Sequence, residues 1–281
     1  MKLENIIDEL HFINEVEQAI LKKFSLSKKR IFEIAKTAYD GENFDFTLCK
    51  CMPLTRLCVV TYLLVEKYDE YRAKGVFDHI ILDTFRDISL RASLYYKKTG
   101  KVGISKDDVI WFRHIMNVSI FKIGSLQFQD FKMIYLDEET IGEPYMTFTK
   151  LQKEDLPNGT PVLNCHIQQG VDISPKVVEE SFQCAKEFFV KIYNKEKYRA
   201  FLCYSWLLYP PMLKELSIDS KIKKFADNFS IISYCSDSEQ AIEYLFGKKV
   251  PKVLPTNSSS LQKLAFEQKE ILGFGCGIIA I

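Results

Sequence analysis

The 281 residues suffice for one large domain or two moderate ones. Hydrophobic residues make up 47% and charged residues 27%, the balance of a folded chain rather than a disordered one. With 38 basic against 37 acidic side chains the net charge is +1, which excludes nucleic-acid binding driven by overall charge.

Near the N-terminus Asp8, Glu9, Glu15 and Glu17 interrupt any apolar signal core. Apolar runs such as residues 57–65 stop short of the roughly 20 residues a membrane span needs. A cytoplasmic chain with no membrane partner is the expectation. Among the eight cysteines only Cys49-Lys50-Cys51 with Cys58 cluster, without CxxC spacing or a nearby histidine, so no metal is expected. Thiols scattered singly through apolar segments read as small core fillers in a reducing compartment.

The first elements are helical. Residues 3–24 place Ile6, Leu10, Ile13, Val16 and Ile20 on one face. Ser27 opens a second helix through Ile31, Ile34, Ala35 and Ala38, with Gly41 at its end. Pro53 precedes a third, whose buried stripe is Leu54, Leu57, Cys58, Tyr62 and Val65, closed by Lys74-Gly75. Residues 77–96 form a fourth and 106–116 a fifth. Short connections predict one helical domain, residues 1–117.

After Asn117 the period changes. Residues 119–128 alternate as a half-buried strand, 131–136 return after Gln129-Asp130, and 145–151 form a third extended run. A strand over 162–167 leads through Gly170 to a helix from Ser174-Pro175 to residue 193, a cap followed by proline at the first helical position. A strand over 200–208 is stopped by Pro210-Pro211. Then come a helix over 212–225, a strand over 230–235, a helix capped by Asp237 or Ser238, a last helix opening at 258–260, and a strand over 274–281. Antiparallel strands followed by alternating strands and helices predict an α+β fold, with a mixed sheet and flanking helices over residues 118–281.

Several stretches carry a resemblance. They are Trp111-Phe112-Arg113-His114, Gly124-Ser125-Leu126-Gln127-Phe128 and Val162-Leu163-Asn164-Cys165-His166-Ile167. Further ones are Phe201-Leu202-Cys203-Tyr204-Ser205-Trp206-Leu207-Leu208, Asp219-Ser220-Lys221-Ile222, Leu254-Pro255 and Ser260-Leu261-Gln262. In this order they resemble the bacterial "acyltransferase domain-containing" proteins, which join a helical N-acyltransferase N-terminal domain to a GNAT-like C-terminal domain. The resemblance implies transfer of an acyl group from a CoA-type thioester to an amine or hydroxyl, with acyl-CoA as co-substrate.

Such folds hold the acyl-carrier pyrophosphate where a strand turns into a helix, because a helix N-terminus offers free N–H donors and partial positive charge. Here that turn contains Gln169, Gly170 and Ser174, with one glycine and with Asp172 inside it. His166 closes the strand before the turn, a position for a general base. Ser205 and Trp206 end the next strand, and Tyr209 follows as the candidate to protonate a departing thiolate. Trp111 and His114 stand one helical turn apart with Arg113 beside them, lining a substrate pocket or packing as core. Gln127 shares a strand face with Ser125 and Gln129 and points to a polar pocket or to a solvated sheet face. A non-catalytic small-molecule-binding module on the same scaffold is the alternative, and the single glycine of the turn favours it. A homo-oligomer is left open.

Overall fold

The computed structural model describes residues 1–39, 47–247 and 249–281, in two compact units, Met1–Ile123 and Gly124–Ile281. Gly41, the expected end of the second helix, lies outside the described residues.

The first unit is helical: α1 (Leu3–Glu9), α2 (Asn14–Ala38), α3 (Pro53–Ala73), α4 (Asp78–Phe85), α5 (Asp87–Thr99) and α6 (Lys106–Met116), then the short strand β1 (Ile120–Ile123). The breaks differ from the sequence reading. The chain turns at His11, with φ +52°, rather than at Ser27, which is only a kink inside α2 at φ −142° and ψ 23°. Residues 77–96 divide at Arg86, whose Nε donates to the Glu9 carbonyl at 2.9 Å. The helix over 106–116 is as expected, because Ser105 and Asp108 form a capping box. Instead of a single stripe, α3 buries most of its circumference, including Leu57, Cys58, Val59, Val60, Leu63, Leu64, Tyr68 and Tyr71. The fully buried Tyr71 hydroxyl lies 3.0 Å from the Ile115 carbonyl and 3.3 Å from that of Ile120, fastening α3 to the end of α6 and the start of β1.

In the second unit the elements run β2 (Leu126–Lys132), α7 (Glu138–Ile141), α8 (Lys150–Asp155), β3 (Pro161–His166), α9 (Pro175–Ile192), β4 (Ala200–Ser205), α10 (Pro210–Glu215), α11 (Lys221–Ala226), β5 (Ser230–Cys235), α12 (Glu239–Phe246), α13 (Ser260–Glu267) and β6 (Phe274–Ala280). Its strands lie in the order β2-β3-β4-β6-β5. β2 is antiparallel to β3, β3 parallel to β4, and β6 runs antiparallel between β4 and β5. The sheet is mixed, as expected.

Four local expectations are corrected. The strand over 119–128 is broken at Gly124, and Gln129-Asp130 lie inside β2 rather than in a turn. Residues 145–149 form no strand, because Thr149 and Gln152 make a capping box that opens α8. β4 stops at Ser205, whose Oγ accepts from the Leu207 N–H at 3.1 Å and starts a tight helical turn over Trp206–Leu208. The helix over 212–225 is two helices, since Ser217 and Asp219 bond locally in the break and so compete with helical hydrogen bonds.

α9 covers one sheet face. Phe182 sits 5.5 Å from Phe128 and 4.7 Å from Phe201, ring centre to ring centre, and such edge-on pairs add about 0.5–1.5 kcal/mol each beyond burial. The other face packs Val162, Leu202 and Cys276 under Met133, Tyr135, Met146 and Leu156.

Gly124 supports this arrangement. Its φ is +63°, and a Cβ there would fall 2.4 Å from Ser181 Oγ, which accepts from the Ser125 N–H and donates to the Val177 carbonyl. Gly100, at φ +67°, has nothing within 4 Å of such a Cβ. Gly100→Ala should therefore cost about 1–2 kcal/mol of backbone strain alone. Gly124→Ala should cost more, and urea unfolding of the two variants measures the difference.

Candidate functional site

The antiparallel register of β2 and β3 sets Gln127 opposite His166 and Gln129 opposite Asn164. Opposed residues in such a ladder stand on the same face, so four polar side chains gather there. Gln127 is 1%, Gln129 5% and Asn164 9% exposed, while His166 at the strand end is half-buried. Gln129 Oε1 lies 3.0 Å from His166 Nε2. With Nε2–H donated to that oxygen, the lone pair of the neutral ring is on Nδ1.

Beside this group the sheet opens. β3 and β4 pair at Leu163 with Phe201 and at Asn164 with Leu202, and at no later residue. Beyond that point β3 continues to pair with β2, and β4 with β6 as far as Ser205 opposite Gly275. The parallel ladder therefore ends in a fork whose base is at Cys165 and Cys203 and whose arms are His166 and Tyr204-Ser205. The Cys165 and Cys203 thiols meet there; their contact, then burial, raise the Cys203 thiol well above the usual range. It is inert as a nucleophile.

Other expected residues fall around the fork. Because Asn164 is level with Leu202, strand alternation puts His166 and Ser205 on opposite faces. The two are not brought together as nucleophile and base, and the Ser205 oxygen caps the turn at Leu207. Trp206 and Tyr209 do share a cluster, into which Ile167 also packs. Burial, with Tyr234 beside it, raises the Tyr209 phenol, which stays protonated. In the turn before α9, Gln169 and Gly170 are exposed and Gly170 takes φ +82°. Asp172 receives the Ser174 N–H at 3.1 Å and hydroxyl at 2.9 Å, and pairs with Lys221 at 2.8 Å. Those hydrogen bonds, Lys221 foremost, hold its carboxyl below the ordinary value.

Trp111 and His114 meet edge to face at 5.3 Å in the helical unit. The Trp111 indole donates to buried Asp87 at 2.7 Å, and Arg91 lies over its ring while bonding Asp87 and Asp108 at 3.0 Å each. Sequence reading missed this carboxylate–arginine set, although Asp87 and Arg91 stand four residues apart, a helical ion-pair spacing. It named Gln129 beside Gln127 but missed it as the partner of His166, since its polar neighbour Asp130 imitates a turn.

Residues 120–274 match the GNAT-like C-terminal domain, and residues 5–118 match the N-acyltransferase N-terminal domain. The chain belongs to the GNAT-like C-terminal domain family. No curated protein matches it. The fold is that of solved acyltransferases. One, in complex with decanoyl-CoA and teicoplanin, is 16% identical over 99% of this chain and 87% of its own, with a TM-score of 0.73. Another, with CoA and 10C-teicoplanin, is 16% identical over 100% and 88%, also at 0.73. A third, with decanoyl-CoA, is 16% identical over 99% and 87%, at 0.70. Among the described residues of this family member no group of three or more His, Cys, Asp or Glu side chains is placed to hold a metal. No helix among them is long and apolar enough to cross a membrane.

Burial, then the Arg113 charge beside it, push the His114 imidazole down to about 4 from 6.5. Between these pH values the unfolded chain binds a proton that the folded chain refuses. Stability is therefore complete above about pH 6.5 and is lost as pH falls towards 4. His114→Gln should flatten that part of the pH–stability curve, measured by urea unfolding at pH 7.5, 6 and 4.5.

Proposed function

We propose that this chain transfers an acyl group from an acyl-CoA-type thioester to an amine or hydroxyl of a small-molecule acceptor. The observation that carries the reading is the fork between β3 and β4 with His166, held by Gln129, at its edge. An extended carrier arm can enter where the two strands stop pairing with each other, lying along them as an added strand would. We draw the boundary between helical and transferase parts at 117/118, where the last helix has ended at Met116, and place the chain in the cytoplasm, where its eight free thiols persist.

His166 acts as base. The acceptor's nitrogen or oxygen bonds to the thioester carbon, its proton passes to Nδ1, and the C–S bond breaks to release the CoA thiolate. Gln129 keeps the resulting imidazolium oriented. Tyr209, protonated and close to the strand end, supplies the proton to sulfur, and Ser205 is the second candidate for that step. Gln169 and Gly170 hold the pyrophosphate, with the N–H groups of Lys176 and Val177, past Pro175, as donors, while Ser174 holds Asp172. This fits the turn: Asp172 is already matched by Lys221 and Ser174, so no unbalanced carboxylate faces the phosphates. Gln127 and Trp206 contact substrate on the sheet unit. The acyltransferase relatives of this fold, crystallised with decanoyl-CoA and CoA, support a medium-chain acyl-CoA as the donor to try first.

The test has two parts. Decanoyl-CoA at 100 times its Kd should add about 2.7 kcal/mol to native-state stability, read as a rise in Tm. His166→Ala should slow CoA release to an added amine by about 10²–10⁴-fold with little change in Tm. Tight binding with no release from the wild type would favour the non-catalytic binding module, and no binding would end both readings.

A further inference from the structure

The reading above gives the Gln127 amide nitrogen no chemical role. The side-chain nitrogen of Gln127 is buried and has no hydrogen-bond partner among the described residues, in a residue only 1% exposed. A buried donor left unmade costs about 1–3 kcal/mol, whereas an apolar side chain of the same shape would not incur that cost. The same face carries the apolar Phe131 and Val162 further along, so apolar side chains are compatible with it. The register places Gln127 directly opposite His166, with Cβ atoms of such a pair about 4.5–5.5 Å apart on one face. His166 keeps partial exposure, so a molecule bound at the imidazole stands one residue pair away from this amide.

Resting on the acyl-transfer reading, we propose that Gln127 is a catalytic residue whose Nε2–H donates to the thioester carbonyl oxygen as it becomes an oxyanion. When the acceptor's lone pair bonds to the carbonyl carbon, the C=O π pair moves onto oxygen, opposite the amide donor. The acceptor's proton goes to His166. As the pair returns to re-form C=O, the C–S bond breaks and the thiolate leaves. The net change is one acceptor–carbon bond made, one carbon–sulfur bond broken, and the acceptor's proton transferred to sulfur. A neutral buried amide suits this task, because it is fixed before the reaction and strengthens as negative charge develops.

Gln127→Met keeps length and removes the donor, and Gln127→Glu puts a carboxylate where the oxyanion forms. The assay is CoA release from decanoyl-CoA with hydroxylamine as the acceptor, beside Tm. Gln127→Met should lower kcat about 10²–10³-fold, the usual loss for one oxyanion donor. KM for decanoyl-CoA should stay within about twofold, since the contact forms only in the transition state. Tm should hold or rise. Gln127→Glu should be at least as slow. A kcat within about threefold of wild type for Gln127→Met, while His166→Ala is inactive, would overturn the proposal and leave acyl transfer standing. A fall in Tm together with a raised KM would also overturn it, marking Gln127 as structural. Failure of the wild type to release any CoA would remove acyl transfer and this role together.

Discussion

The parallel pairing of β3 with β4 lasts for two residue levels and then stops, and the site depends on that interruption. A parallel ladder inside a mixed sheet ordinarily satisfies every N–H and C=O along its length. Past that point Cys165 and His166 keep their pairing with β2, and Cys203 to Ser205 theirs with β6. The outer pairings hold the two strands rigidly in place while they separate, so the gap is a property of the sheet rather than of a mobile loop. Packing secures it from both faces: Phe128, Phe182 and Phe201 lock the α9 side, and Leu202 and Cys276 belong to the opposite core.

Polar residues concentrate on one side of this gap. Gln127, Gln129 and Asn164 are all buried on a face whose continuation, through Phe131 and Val162, is apolar. Burying three carboxamides in a sheet is unfavourable unless each is hydrogen-bonded. Gln129 has His166, whereas the Gln127 amide nitrogen has no partner among the described residues. Local violations of good packing chemistry of this kind are where natural folds place function. The carboxylate–arginine set around Trp111 has the opposite character: Asp87, Arg91 and Asp108 satisfy one another, and they fix the Trp111 and His114 rings on α6.

Much of the architecture was legible because it rests on local rules. The α6 boundaries followed from Ser105 and Asp108, and β3 and α9 from an apolar run and a Ser-Pro start. The misreadings share a cause. Gln129-Asp130 looked like a turn because buried polar residues imitate exposed ones when only their identity is known. Thr149 was read inside an extended run ending at Leu151, although its spacing to Gln152 is that of a capping box. His166 was legible as a strand-end histidine, but its partner was not. Which glutamine faces it depends on a register fixed by the break at Gly124, where only a residue without Cβ clears Ser181. Nor could the sequence separate His166 from Ser205: both end neighbouring strands, and only the alignment of Asn164 with Leu202 assigns them to opposite faces.

The central claim is that the fork receives the acyl carrier. The most direct measurement is a crystal structure of the chain with decanoyl-CoA. The account predicts the carrier arm lying between β3 and β4 beyond Asn164 and Leu202, with the thioester carbon on the face that carries His166. Decanoyl-CoA bound elsewhere with the fork closed or empty, for instance on the cavity of about 290 Å³ lined by Lys23, Arg30 and Lys50, would contradict it.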